Sequence, residues 1–400
     1  MSGLISVAQA LALIKAHTPV RKTSQIALAD ALGMTLATDL IAHTSRPPAA
    51  VSAMDGYAVR LQDVAKPETR LKLIGSAPAG RLFEETVGPG ETVRVFTGSE
   101  IPNGADHIVI QEAVEVREGG VICQHGYTEA AYIRPAGLDF KTGDCILNAG
   151  TRLGAAELSL AAAANHAELD VTTPLRVGIL ANGDELRPPG SALQKGQIIN
   201  SNPAALSALI EGWGGQAVDL GIAPDRLDAI QTVIETAQDI DVFLPVGGAS
   251  VGDHDHMQAA FAAVGFKPIF SKLAVRPGKP TWFSERGSQR GLGLPGNPAS
   301  ALVCAHLFLA PLIGAALPAS FINAELQTPL MANGGREHYM RARVEVGSTG
   351  QLVVTPAANQ DSSLLTPFQS CNGLIQRLPD APAEAVGARV SVHLIRPLLG

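Results

Sequence analysis

The sequence predicts an α/β plus β fold spread over several domains, with the α/β unit in the middle of the chain. Three observations carry that expectation. At 400 residues the chain exceeds what one hydrophobic core organises, so roughly two to four domains are expected. Between about Leu175 and Pro318 strand-like and helix-like runs alternate, as βαβ units around a mostly parallel sheet do. On both sides of that region short runs of alternating apolar residues, separated by Gly and Pro, point to small β-rich domains.

Taken in order, Ser6 followed by Gln9 fits a capping box opening a helix through about Ala16. The segment up to about Thr44 reads as helical, and Ser45-Arg46-Pro47-Pro48 ends it because consecutive prolines cannot continue a helix. From about Val51 to Asp139 the pairs Leu71/Leu73, Val93/Val95 and Ile108/Ile110 each point one way, which suggests a small barrel or sandwich. An Ala- and Leu-rich pattern from Gly150 to Asn165 returns to helix. In the α/β region Val177–Leu180, Ala217–Leu220 and Val242–Leu244 read as strands. Pro203–Glu211 and Leu227–Ala237 between them read as helices. Residues from Asn297 to Asn323 contain no Asp, Glu, Lys or Arg and are long enough to span a bilayer. Pro311 interrupts the run, His306 lies in it and basic flanks are missing, so a buried helix packed on a sheet is expected, with no membrane span. Beyond about Phe321, Ala342–Val346 and Val390–Ile395 read as strands again.

Composition narrows the function classes. A formal net charge of −7 argues against general binding to nucleic acid backbones, although local cations can still hold an anionic ligand. Cys123, Cys145, Cys304 and Cys371 form no close pair with metal or redox spacing. Reduced thiols in a cytoplasmic protein are the simplest expectation, and the N-terminus lacks the positive region of a signal peptide.

Open α/β sheets bind ligands at the carboxyl ends of their strands, and the chemistry-bearing motifs fall there. Asn182-Gly183-Asp184-Glu185 follows the first strand of the region, and the glycine loop Gly247-Gly248-Ala249-Ser250-Val251-Gly252 follows the third. Pro295-Gly296-Asn297-Pro298 follows the run Leu292–Leu294. Glycine-rich loops turn N–H groups toward an anion, and Asn297 before Pro298 suits a helix N-cap. Each loop alone reads as a tight turn; both together at equivalent sheet ends read as a phosphate site. Asp184, Glu185, Asp225, Asp253 and Asp255 recur on the same loops, and carboxylates facing phosphates call for Mg²⁺. A transition-metal reading of Asp253-His254-Asp255-His256 stands behind that one, because alternate residues on one loop rarely fill a coordination sphere. Lys272, Arg276 and Lys279 surround the Pro277-Gly278 turn, where they form either an oxyanion clamp or a solvated basic face.

These motifs resemble the molybdopterin molybdenumtransferases, the MoeA family that includes the gephyrin E domain. The resemblance runs over the whole length. It is carried by Ser52 to Val59, Thr97-Gly98-Ser99-Glu100-Ile101-Pro102 with Gly104-Ala105-Asp106, Gln111-Glu112 and Gly183-Asp184-Glu185-Leu186. Gly247 to Gly252 with Asp255, Arg276 to Pro280 and Gly293 to Ser300 continue it. It implies molybdenum insertion into adenylylated molybdopterin, giving molybdenum cofactor and AMP with Mg²⁺. A divergent carrier or scaffold for the pterin or the cofactor is the alternative.

The resemblance also implies an elongated homodimer whose domains cover 1–46 with 140–174, 47–139, 175–320 (MogA-like) and 321–400. An adenylyltransferase and recipient molybdoenzymes are its implied partners. Gly183, Glu185, Gly247, Gly248, Ser250, Gly252, Pro295, Gly296, Asn297, Pro298, Ser300 and Thr97 would bind the pterin and adenylate. Arg276, Lys279, Pro280, Arg341 and Ser362 would bind molybdate. Asp184, Glu185 and Asp255 would hold the metal, and Asp55, Asp184, Asp225, Asp255 and Lys279 would be catalytic. The Asp55 motif would face the cleft of the other subunit. The sequence departs from the family pattern at Ala49-Ala50-Val51 and at Leu138, both in the region expected to be β-rich.

Overall fold

The computed structural model describes residues 4–247, 256–315 and 321–398. The chain divides into two compact units, one made of residues 1–22 with 173–400 and the other of residues 23–172.

The larger unit is built on a six-stranded sheet. Its strand order is Gln216–Ala223, Arg176–Asn182, Val242–Val246, Gln289–Gly293, Trp282–Arg286, Lys267–Phe270. The first four strands run parallel, and each of the last two pairs antiparallel with the strand before it. Burial on both faces follows from the nearly unbroken apolar runs of its central strands. Val177, Ile179, Leu244 and Leu292 face a core shared with Leu206, Ile210, Ala301 and Phe308, whereas Leu180, Phe243 and Trp282 face Ile230, Ile234 and Phe261. The helices Asn202–Gly212 and Leu227–Thr236 stand where the βαβ pattern puts them.

The uncharged run begins with the helix Pro298–Cys304. One π-helical turn, Ala305–Leu309, follows, and the helix resumes at Ala310–Leu312, all packed in the core. Among the described residues no helix is long and apolar enough to cross a membrane.

The C-terminal part of this unit is a β-barrel. Phe321–Leu326, Glu337–Val346, Leu352–Pro356, Gly373–Arg377 and Arg389–Leu394 close on themselves, and the two-residue strand Val275–Arg276 adds to the edge in parallel with Glu337 and His338. That short pairing ties the α/β sheet to the barrel, and it positions the cationic loop discussed below.

The smaller unit has a six-stranded sheet in the order His107–Ile110, Gly56–Val59, Glu91–Val95, Thr69–Ala77, Gly120–Cys123, Val114–Arg117. Beside it lies a three-stranded sheet of Thr23–Ala27, Glu168–Thr172 and Thr35–Leu36, with the helix Ala155–Ala163 packed through Ala161 on Leu36, Leu169 and Val171.

Two expectations differ from the structure. The helix Val7–Ala16 opens with the expected box, Ser6 N donating to Gln9 Oε1 at 2.9 Å and Gln9 N to Ser6 Oγ at 3.2 Å. Helix does not continue to Thr44, because residues 23–41 form short strands and a 3-10 turn in which Ile26 and Leu36 meet the core. The first helix also packs in the larger unit through Val7, Ala10 and Ile14, beside Leu309 and Leu312, rather than with residues 140–174. Three apolar residues on one face need a large apolar partner, and the helices on the sheet supply it.

Candidate active site

Two adjoining cavities open on the larger unit and share Pro280, Pro295 and Asn297 as lining. The first, of about 590 Å³, lies at the carboxyl ends of Arg176–Asn182 and Val242–Val246. Asn182, Glu185, Gly247 and the Pro295–Pro298 loop line it. Gly247 N donates to Leu294 O at 3.2 Å. A Cβ on Gly296 would stand 3.3 Å from Gly247 Cα, so the two loops meet backbone to backbone. Asn202 fixes the second loop by donating from Nδ2 to Gly296 O at 2.8 Å. The buried Asn182 amide donates to Ala223 O at 3.3 Å and Pro224 O at 3.2 Å, which holds the loop carrying Asp225 beside that of Asp184. Asp225 N donates to Asp184 Oδ1 at 3.2 Å, and Asp225 Oδ1 is buried with no partner. Gly183 stands on the same loop beneath the Glu185 carboxylate. Gly248, Ser250, Gly252, Asp253, His254 and Asp255 lie outside the described residues.

The second cavity, of about 610 Å³, is cationic. Arg276, Lys279 and Arg336 line it together with His338, Ser300 and the Asn359–Ser362 loop. The parallel register of Arg276 with His338 sets the first of these cations against the barrel. Gly278 turns the loop at φ +120°, and a Cβ there would collide with the Cys304 thiol. Thr281 Oγ1 donates to that thiol at 3.3 Å, and burial pushes Cys304 up to about 12. The loop therefore rests on the last residue of the Pro298–Cys304 helix. Among the described residues the side chains of Arg276 and Lys279 make no hydrogen bond or ion pair, so their donors are available to a ligand.

Asn297 stands at the N-cap position, but its side chain does not cap the helix. Its Nδ2 donates to Ser362 Oγ at 2.9 Å, while Ala299 N donates to Ser362 O at 3.0 Å. A hydroxyl that accepts in this way keeps its own proton for an oxyanion. Arg341 is 2% exposed and does not line the cavity. Its Nη1 donates to Leu364 O at 2.7 Å and its Nη2 to Asp361 O at 2.9 Å and Asn359 O at 3.2 Å. Its guanidinium thus shapes the loop that presents Ser362.

On the smaller unit, Asp55 precedes the strand Gly56–Val59. Its Oδ1 accepts from Thr97 N at 2.7 Å and Thr97 Oγ1 at 2.9 Å. The Thr97 backbone bond, then the hydroxyl and then the Arg94 charge hold the Asp55 carboxyl below its ordinary range. Arg94 lies 4.9 Å from the Tyr57 ring and 5.1 Å from the Phe96 ring.

Sequence reasoning missed Arg336, His338 and the Asn359–Asp361 backbone. An Arg and a His two residues apart at the start of a strand share a face, but that pattern alone does not mark a ligand site.

A doubly wound α/β domain with loops converging at its strand ends, joined through the short strand Val275–Arg276 to a β-barrel, defines a multidomain ligand-binding protein of the α/β class. Three family models match in succession: the MoeA N-terminal region (domain I and II) over residues 5–165, a probable molybdopterin binding domain over 178–315, and the MoeA C-terminal region (domain IV) over 323–395. The chain is 34% identical to the molybdopterin molybdenumtransferase of Haemophilus influenzae over 95% of both chains. It is 31% identical to that of Bacillus subtilis over 94% of this chain and 90% of the relative. A MoeA molybdopterin biosynthesis protein from Pyrococcus horikoshii superposes with a TM-score of 0.86 at 26% identity, covering 99% of this chain and all of that one. The chain belongs to the MoeA family of molybdopterin molybdenumtransferases.

Proposed function

We propose that this chain inserts molybdenum into adenylylated molybdopterin, consuming molybdate and releasing molybdenum cofactor and AMP. The observation that carries this reading is the junction of the two cavities. A cationic pocket adjoins a pocket at the carboxyl ends of the parallel strands, and Pro280, Pro295 and Asn297 line both.

Molybdate is a tetrahedral dianion and here a substrate. Arg276 and Lys279 supply charge-assisted donors, Ser362 and Ser300 supply hydroxyls, and Pro280 fixes the boundary toward the pterin. Arg341 acts one step back, through the 359–364 loop. The adenylylated pterin takes the first cavity, with the backbone of the Pro295–Pro298 loop near its phosphates. Holding the dithiolene beside the oxyanion replaces an encounter in solution with positioning.

Mg²⁺ fits the donor set. The unpartnered, buried Asp225 Oδ1 and the exposed Asp184 carboxylate are hard oxygen donors on neighbouring loops. Among the described residues no group of three acids or histidines forms a closed site. Mg²⁺ takes oxygen ligands and completes its sphere with water and substrate phosphate. Asp184 and Glu185, with Asp255, would hold it, and it would neutralise charge on the phosphoanhydride. Asp184 also accepts from the Asp225 amide, which ties the two acidic loops together. A cytoplasmic homodimer that exchanges pterin with an adenylyltransferase and recipient molybdoenzymes completes the proposal; light scattering on the purified protein tests the dimer.

Lys279→Ala tests the assignment of the cavities. It is expected to weaken molybdate use by roughly ten- to a hundredfold, the loss of one charged donor, with adenylyl-pterin binding changed much less. Equal loss of both would move Lys279 to the nucleotide.

A further inference from the structure

His338 is 8% exposed and lines the oxyanion cavity, and its imidazole makes no hydrogen bond to any described residue. Guanidinium groups approach it from each neighbouring strand. Arg276 is its register partner on the added edge strand, Arg377 its partner on Gly373–Arg377, and Arg336 and Arg341 belong to its own segment. Lys279 lies on the same lining.

Compensating acid is scarce. Glu384 meets Arg377 at 3.3 Å. The Asp361 carboxylate, on the cavity lining, is turned to Ser363 N at 2.8 Å and Ser363 Oγ at 2.7 Å. Glu337 accepts from Tyr339 Oη at 2.8 Å and Gln376 Nε2 at 2.7 Å. Burial first, and then the four guanidiniums, push His338 down to about 4, so the ring is neutral near pH 7.

That surplus shrinks when a dianion enters the cavity. A tetrahedral dianion brings two negative charges among these cations, offsets part of the repulsion that opposed an imidazolium and attracts the imidazolium directly. We propose that His338 is a proton-coupled oxyanion donor: on entry of a dianion its imidazole takes one proton from solvent and donates a hydrogen bond to an oxygen of that dianion. The proposal rests on the reading of this cavity as the molybdate site. Binding is then linked to proton uptake, and affinity rises as pH falls, by up to about tenfold per pH unit while a whole proton is coupled. A histidine that only filled space would leave proton stoichiometry untouched.

The experiment is calorimetric titration of the full chain with sodium molybdate at about pH 6, 7 and 8, in buffers of different ionisation heat. Wild type, His338→Gln and His338→Asn are compared. Proton uptake is expected in the wild type, nearing one proton at the acid end. Both variants are expected to bind more weakly, without uptake and with affinity flat in pH. Molybdate binding without proton uptake in the wild type overturns the proposal and leaves the molybdate site standing. Undiminished uptake in both variants also overturns it. No molybdate binding by the wild type removes the molybdate reading itself and this inference with it. Should neither variant fold, histidine NMR of the wild type decides: one of the 10 imidazoles turns cationic on molybdate addition at constant pH, and none doing so overturns the proposal.

Discussion

Arg341→Lys keeps the positive charge beside the oxyanion cavity and removes only the planar fork. In the wild type that fork serves three carbonyls, Leu364 O at 2.7 Å, Asp361 O at 2.9 Å and Asn359 O at 3.2 Å. A lysine ammonium on its flexible stem replaces one of them, so two partly buried carbonyls lose their donor. At about 1–2 kcal/mol for each, the unit loses roughly 2–4 kcal/mol, or the loop detaches and its carbonyls turn to water. Detachment releases both Ser362 contacts, with Asn297 Nδ2 and with Ala299 N, and molybdate affinity falls about tenfold or more. Urea denaturation and molybdate calorimetry on the same preparation read the two outcomes. Retention of wild-type stability and affinity in Arg341→Lys would refute the reasoning. So would loss of molybdate binding in Arg341→Ala that Arg341→Lys restores, since charge alone would then be what Arg341 contributes.

Two further predictions come from the packing beneath the site. Gly278→Ala places a methyl against the Cys304 sulfur at a φ of +120°, so a loss of roughly 2–4 kcal/mol is expected. Cys304→Ala in the same chain should recover part of that loss, because it relieves the clash and not the backbone strain, as thermal denaturation of the pair will show. His306, His393 and His338 are buried neutral, held down to about 3, 4 and 4, chiefly by burial. The unfolded chain binds protons at these positions near the ordinary histidine value while the folded chain does not. Stability therefore falls as pH drops from about 6.5 to 5, by up to about 1.4 kcal/mol per pH unit for each histidine. His393 has neither ring nitrogen partnered, so His393→Leu should flatten that slope by about a third at no loss of neutral stability; an unchanged slope in pH-dependent urea denaturation would contradict it.

Much of the α/β core was legible because its signals are local and strong. Val177–Leu180 and Val242–Leu244 are unbroken apolar runs, and Pro203 at a helix start leaves little choice of conformation. The stretch up to Thr44 misled because its small and polar residues favour no one state, and the pairing of Thr23–Ala27 with Glu168–Thr172 is a contact across 140 residues that no local pattern carries. The acidic loops were legible from their place after strands. The role of Arg341 was not, since a charged residue in a β run looks the same whether its head reaches a ligand or a backbone carbonyl. His338 became visible as a site residue only when the register with Arg276 brought two distant segments together.

Supplying the purified chain with adenylylated molybdopterin, molybdate and Mg²⁺, and following AMP and active cofactor together, tests the central claim most directly. The account predicts that both form in equal amounts and that both depend on molybdate. Tight pterin binding with no release of AMP would contradict it and identify the chain as a carrier of the pterin.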